Sequence, residues 1–315
     1  MSRTTLPLLV ALVSACLPAL AAPRAFVASD GSDANPCTLN SPCRNFQAAH
    51  NAVDVGGEVI ALDSAGFGSV AITKSVTLMA SPGAYAGIAV GSGEAVTIAT
   101  AGVNVVLRGL VLSNTGPGIG GGTTGGVHMS AGNSLAVENC VLSRFNFGVR
   151  VDTAARVKIV DTLFRASGSA VSFSNGATAE VVGSRILGNQ GGGFGLFVSG
   201  VAGTTTSATI VDTVSSDNLS GFVATALVPS AIVRLSCVRC TASNNGQIGF
   251  LTVASSGATA QMLVGSSVAS YNGQFGFANT PVGGGTSVFE SLGNNAAHQN
   301  TMGPVSGTLT TVGGF

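Results

Sequence analysis

From residue 130 onward, apolar residues recur every second position in short runs, as in Val149, Val151, Val157 and Ile159. A period of two is the signature of a half-buried strand, and each run is only a few residues long before Gly, Asn or Ser intervenes. The runs repeat. Residues 241–250 (TASNNGQIGF) return as 268–277 (VASYNGQFGF), a shift of 27, and weaker copies precede them. With the small residue after each strand as register, the series is Cys140, Thr162, Ser184, Thr213, Thr241 and Val268, at spacings of 22, 22, 29, 28 and 27. Upstream, 109–113 (GLVLS) matches 139–143 (NCVLS) across a Gly-rich insertion at 116–126.

Helical solenoids repeat at ~33–47 residues, so this shorter period excludes most of them. Each repeat is too small to bury its own apolar face and must stack on the next. The pattern therefore predicts an all-β chain, a single-stranded parallel β-helix of 22–30-residue coils with strands ~4.8 Å apart. In this register Phe194, Phe222, Phe250 and Phe277 form one internal column, with Cys140, Thr162 and Ser184 pointing inward. Asn189, Asp217, Asn245 and Asn272 align at a corner, where Asn takes the left-handed conformation and amides can stack. Lys158 and Glu180 fall one above the other on an outer face, and Asp161 and Asp212 share a register with the Gly183 coil between them. Ahead of the coils, residues 44–53 place Phe46, Ala49, His50 and Val53 on one helical face, a short helix capping the solenoid, with His50 as a satisfied cap residue.

The first 21 residues read as an export leader: one Arg, an apolar run from 6 to 20, and small residues before a cut between Ala21 and Ala22. The run is too short for a membrane span. An alternative processing places lipid on Cys16. The domain plan is 1–21 leader, 22–56 cap with its helix, and 57–315 β-helix, in a secreted or periplasmic protein without a transmembrane anchor once the leader is removed. Export makes a Cys37–Cys43 disulfide the expected state of the 35–43 loop. Cys237 and Cys240 either form a local disulfide or remain unreactive thiols. Cys140 is a core thiol.

Composition narrows the function. Charged residues are 8% of the chain and sum to zero, which excludes nucleic-acid binding by charge. The outward row of the register holds the best constellation, His128, Arg150 and Ser172, with Ser130, Asp152 and Ser174 beside it. His128, Arg150 and Asp152 within a few ångströms could bind an anionic sugar or exchange protons. A polar face whose charges neutralise one another is the plainer reading.

The segments 25–33 (AFVASDGSD), 35–37 (NPC), 42–47 (PCRNFQ), 56–62 (GGEVIAL) and 72–78 (ITKSVTL), with 137–142 (VENCVL) and the later SNNG and SYNG turns, resemble exported bacterial right-handed parallel β-helix repeat proteins of the pectate-lyase-like superfamily. That resemblance implies the fold, and for pectinolytic members it implies calcium-binding carboxylates with a basic residue, or clustered Asp with Gly-His-Gly and Arg-x-Lys. Arg156-Val-Lys158 matches the last by spelling alone. Gly126-Val-His128 is not Gly-His-Gly, and eight Asp and five Glu leave little from which to assemble paired acids. The expectation is a non-catalytic module without a cofactor or metal, used for surface association, adhesion or weak contact with a polysaccharide or other cell-surface component. The alternative is a polysaccharide-active lyase or epimerase. Absence of Trp and scarcity of Tyr count against sugar stacking.

Overall fold

Short apolar runs separated by turn residues leave the chain one way to bury its inward faces, which is to wind and stack. A computed structural model describes residues 22–116, 124–189 and 193–313, and in it every coil contributes strands to three parallel sheets of twelve, ten and ten strands. The strand Ala22–Val27 joins the first sheet by pairing with Val53–Ala61. The leader and Cys16 lie outside the described residues, as does most of the Gly-rich insertion.

The core is one continuous column between the sheets. The helix Phe46–Ala52 buries Phe46, Ala49 and His50, and Phe46 packs on Phe67 with ring centroids 5.3 Å apart. Asp33 organises its start, accepting the backbone N–H groups of Arg44 and Asn45, both at 2.8 Å. His50 is fully buried and its Nε2 accepts the Thr73 N–H at 3.0 Å, while its Nδ1 has no partner among the described residues. Burial, with Lys74 nearby, lowers its pKa to about 4.

Three columns differ from the sequence register. The inward small position runs Cys140, Thr162, Ser184, Thr213, Cys240, Ser267, so Cys240 and Ser267 replace the expected Thr241 and Val268. Arg239 and Ser266 carry the positive φ that Asp161 and Asp212 carry on earlier coils, so the inward residue is the one that follows, and Thr241 and Val268 begin the next strands. Cys237 and Cys240 both point inward and are disulfide-bonded. Cys37 and Cys43 are also bonded. Cys140 is a buried free thiol, and burial pushes its pKa up to about 11.

The aromatic column has three members. Phe222, Phe250 and Phe277 stack at 5.1 and 5.2 Å, but the residue in register with Phe222 is Leu196. Phe194 is not in the column. Glycines at 193 and 195 both precede an apolar residue, and it is Gly195 that faces the Gly221 carbonyl, where a Cβ would come within 2.5 Å. Phe194 instead lies half-buried on the outer side, stacked 4.9 Å from Phe197.

The amide column exists with one substitution. Asn189, Asn218, Asn245 and Asn272 each donate Nδ2 to the Oδ1 of the next, ending on Asn300, at 2.7, 3.2, 2.9 and 2.8 Å. Asp217 is not a member, since a carboxylate has no proton to pass on. The left-handed conformation belongs to the preceding residue, Gly188, Asp217, Asn244, Tyr271 and Gln299, which turns the corner and leaves the following Asn facing inward.

Candidate functional site

The second sheet carries the polar cluster on its outer face. His128 on Thr124–Ala131 lies in register with Thr97 on one side and Arg150 on the other, and Arg150 with Ser172. Asp152 and Ser174 follow their strands by one residue. The sequence register had therefore juxtaposed His128, Arg150 and Asp152 correctly.

Asp152 is the hub. Its Oδ2 accepts Arg150 Nε at 2.6 Å and lies 3.2 Å from His128 Nε2, and its Oδ1 accepts the Ser174 hydroxyl at 2.8 Å. Arg150 also covers the ring of Phe147, 5.2 Å from its centroid. On the other side of His128, Glu94 Oε1 is 3.6 Å from Nδ1. Burial raises the Glu94 carboxyl above its ordinary pKa, opposed by His128 and Arg150, and its Oε2 has no partner among the described residues.

Sequence reasoning missed Glu94 because the Gly-rich insertion hid the register of the preceding coil. Its signal is Gly125. The two residues pair, and a Cβ on Gly125 would come within 1.5 Å of Glu94 Oε2, so only glycine lets this carboxylate lie across the next strand toward His128.

The same face becomes aromatic farther along the rod. One outward row runs Phe147, Ser169, Phe194, and three residues later a second runs Arg150, Ser172, Phe197. Phe147 under Arg150 and Phe194 beside Phe197 are thus the same positions, two coils apart. Two coil spacings are ~10 Å. The marked surface depressions lie elsewhere, on the first sheet around Arg234, Gln261 and Glu290 and around Arg156, Lys158 and Glu180. Lys158 and Glu180 face each other across coils at 3.9 Å. Asp161 and Asp212 stay on separate coils, and Asp212 is held by a two-pronged Arg239 contact at 2.6 and 2.7 Å. Among the described residues no group of three or more His, Cys, Asp or Glu is arranged to hold a metal ion.

A model of the right-handed β-helix region matches residues 86–262, more than half of the chain. No curated protein matches the sequence. Among solved structures, pectate lyase Pel9A superposes with a TM-score of 0.54 at 15% identity, over 92% of this chain and 77% of that one. A complex of XylC with xylose gives 0.55 at 9% identity, over 85% and 68%. Tailspike protein 2 of Escherichia coli O157:H7 bacteriophage CAB120 gives 0.50 at 12%, over 80% of this chain and 38% of the tailspike. At these identities the likeness is one of fold.

Proposed function

The chain belongs to the right-handed β-helix family, and from that premise we propose that it is an exported, non-catalytic module that holds glycan chains along the outer face of its second sheet. The observation that carries this reading is the outward pair Phe194 and Phe197, two half-buried, stacked rings on the face that also bears Arg150. Rings so placed offer flat apolar area to a sugar, and the arginine offers a fork of N–H donors to hydroxyl or acid oxygens. These phenylalanines supply the aromatic surface that the absence of Trp had argued against.

The cluster itself is built like a structural network. Asp152 uses both oxygens on Arg150, His128 and Ser174, and the His128 ring stands between Asp152 and Glu94. Two acids acting on a glycosidic bond must have the bond between them. Here imidazole fills that space. Export is supported by the leader pattern of residues 1–21 and by two disulfides, which persist in oxidising compartments. No helix among the described residues is long and apolar enough to cross a membrane. Sugar-handling proteins of the same architecture, a pectate lyase and a xylose complex of XylC, support a glycan as the partner class.

A lyase or epimerase is the second reading. It rests on Glu94, whose raised pKa beside His128 is the property of a proton donor. One experiment separates the two. Affinity electrophoresis against polygalacturonate and xylan should show retardation of the mature protein, weakened about tenfold, ~1.4 kcal/mol, by Phe194→Ala with Phe197→Ala. Polymer chain length and ultraviolet absorbance should stay constant. Unsaturated uronate absorbance that disappears in Glu94→Gln would establish the enzyme, and unaltered retardation in the double variant would remove the Phe face from the function.

A further inference from the structure

Ten arginines lie among the described residues, and six of them have a side-chain partner: Glu58 for Arg24, the Gly66 carbonyl for Arg44, Glu138 for Arg108, Asp152 for Arg150, Gln261 for Arg234 and Asp212 for Arg239. Of the four left, Arg156 is on the first sheet. The other three, Arg144, Arg165 and Arg185, are together on the third. Arg165 ends the strand Leu163–Arg165, and Arg185 begins the strand Arg185–Leu187 on the next coil, where it pairs with Leu163. Arg144 occupies the corner of the preceding coil, its backbone N–H bonded to the Arg165 carbonyl at 3.2 Å. All three are exposed, one on each of three successive coils, with coil-to-coil spacing of ~4.8 Å.

Nothing nearby among the described residues neutralises them. Asp161 lies directly below Gly183, at the corner beside the Arg185 end of the row, and forms no ion pair with it. Asp217 lies two coils beyond Ala166 in the Arg144 column and accepts the Ser216 hydroxyl at 2.8 Å. In a chain with 8% charged residues, and with most cations paired across coils, three unpaired arginines on successive coils are an anomaly of placement. Like charges brought this close repel one another until an anion bridges them.

We propose that Arg144, Arg165 and Arg185 form a binding site for glycan chains bearing sulfate or phosphate esters, separate from the second-sheet face. An ester of this kind presents three terminal oxygens, so guanidinium groups on neighbouring coils can share one anion from different directions. A carboxylate has two oxygens in one plane and no third direction from which a further coil's guanidinium can approach. Nucleic acid fits less well. Single strands need aromatic platforms for their bases, whereas the outward neighbours here are Val141, Leu163 and Leu187. Duplex binders typically engage ~6–10 phosphates, more than three arginines can meet.

The test is binding of the mature protein to immobilised dextran sulfate and dextran phosphate, which separate the two esters, with neutral dextran, polygalacturonate and single-stranded DNA in parallel. Either ester should bind about tenfold more tightly than polygalacturonate or DNA. Combined Arg144→Asn, Arg165→Gln and Arg185→Gln should bring binding to the level of neutral dextran, and Asn suits the left-handed φ of 65° at position 144. A control of equal charge change, Arg156→Gln with Lys158→Gln and Arg234→Gln, should stay within about twofold of the parent. The slope of log affinity against log salt should fall by ~2, as expected for three lost contacts on a single chain. Matching melting curves establish that the variants fold, and if the triple does not, single Arg165→Gln should weaken ester binding and lower the salt slope by ~0.7. Equal loss in the control, equal binding to polygalacturonate or DNA, or undiminished binding by the triple variant would each overturn the proposal. Retention of ester binding by Phe194→Ala with Phe197→Ala separates it from the second-sheet reading.

Discussion

The coils from Cys140 to Ser184 are 22 residues long, and those from Thr213 to Asn295 are 27 or 28. The two halves solve the same problem differently. In the longer coils like stacks on like: three Phe in one column, and at a corner a line of Asn with every amide both donor and acceptor. In the shorter coils the same column holds Val149 and Val171, and the corner holds Ser167, whose backbone N–H donates to Asn189 Oδ1 and whose hydroxyl turns back to the Arg165 carbonyl of its own coil. Charge is denser on the short coils, which carry Arg150 and Asp152 on one face, next to Glu94 and His128 of the preceding coils, and the three free arginines on another; the long coils carry Asp217, Arg234, Arg239 and Glu290. The long coils supply internal stacking, and the short ones hold more of the side-chain chemistry on the surface.

The strongest way to break this comparison is in the core column. Phe250→Ala should cost ~3–5 kcal/mol by chemical denaturation, because two stacked neighbours lose their partner and a cavity remains. Val149→Ala, at the equivalent place in the short coils, should cost ~1.5–3. Equal costs would mean a stacked Phe contributes no more than a valine and would remove the contrast.

Next comes the corner. Asn245→Ala removes acceptors from Asn218 and a donor to Asn272 in a buried line, leaving polar groups orphaned at ~1–3 kcal/mol each, about 3 in total. Ser167→Ala should cost ~1 or less, since the contact it makes upward is through its backbone. A Ser167 effect as large as that of Asn245 would refute the contrast.

The N-terminal coils, which also lack an amide line, depend on neutral His50. Its folded pKa near 4 lies below the unfolded 6.5, so the unfolded chain binds the extra proton. The stability this residue contributes is complete above pH 6.5 and is lost as pH falls toward 4. His50→Gln should flatten that part of a melting profile taken across this range.

The smallest effect has the opposite sign. Glu94 is raised above its ordinary 4.5, so the folded state holds its proton more firmly and stability falls as pH rises through and above that value. Glu94→Gln should melt slightly higher than the parent at pH 7, with the difference closing below pH ~4. A lower melting temperature at pH 7 would show that the contact with His128 outweighs burial of the charge.

How much of this was legible follows the same division. The copies at 241–250 and 268–277 placed Phe250 over Phe277 and Asn245 over Asn272 from spelling alone, since a pure translation along the rod preserves position in the coil. Where coil length changes, the register slipped: at Gly193 against Gly195, which removed Phe194 from the column, and at Asp217 against Asn218. His128, Arg150 and Asp152 were readable because His128 follows the insertion and Arg150 stands 22 residues on, with no insertion between them. Glu94 lay across the Gly-rich insertion and was not.

The sequence by itself determined the winding. A period of two inside a period of 22–30, with too few apolar residues per repeat to close a core alone, admits stacked parallel coils and little else. It also determined that Cys140 is inward and that charge is scarce. Only the tertiary structure decided which side chains share a face across coils of unequal length. Phe194 moved outward beside Phe197, Glu94 settled over Gly125, and Arg144, Arg165 and Arg185 met without a carboxylate between them. The physical reason is that burial is enforced residue by residue along a strand, whereas neighbours on the outer surface are set by loop lengths at the corners, which composition and periodicity do not encode.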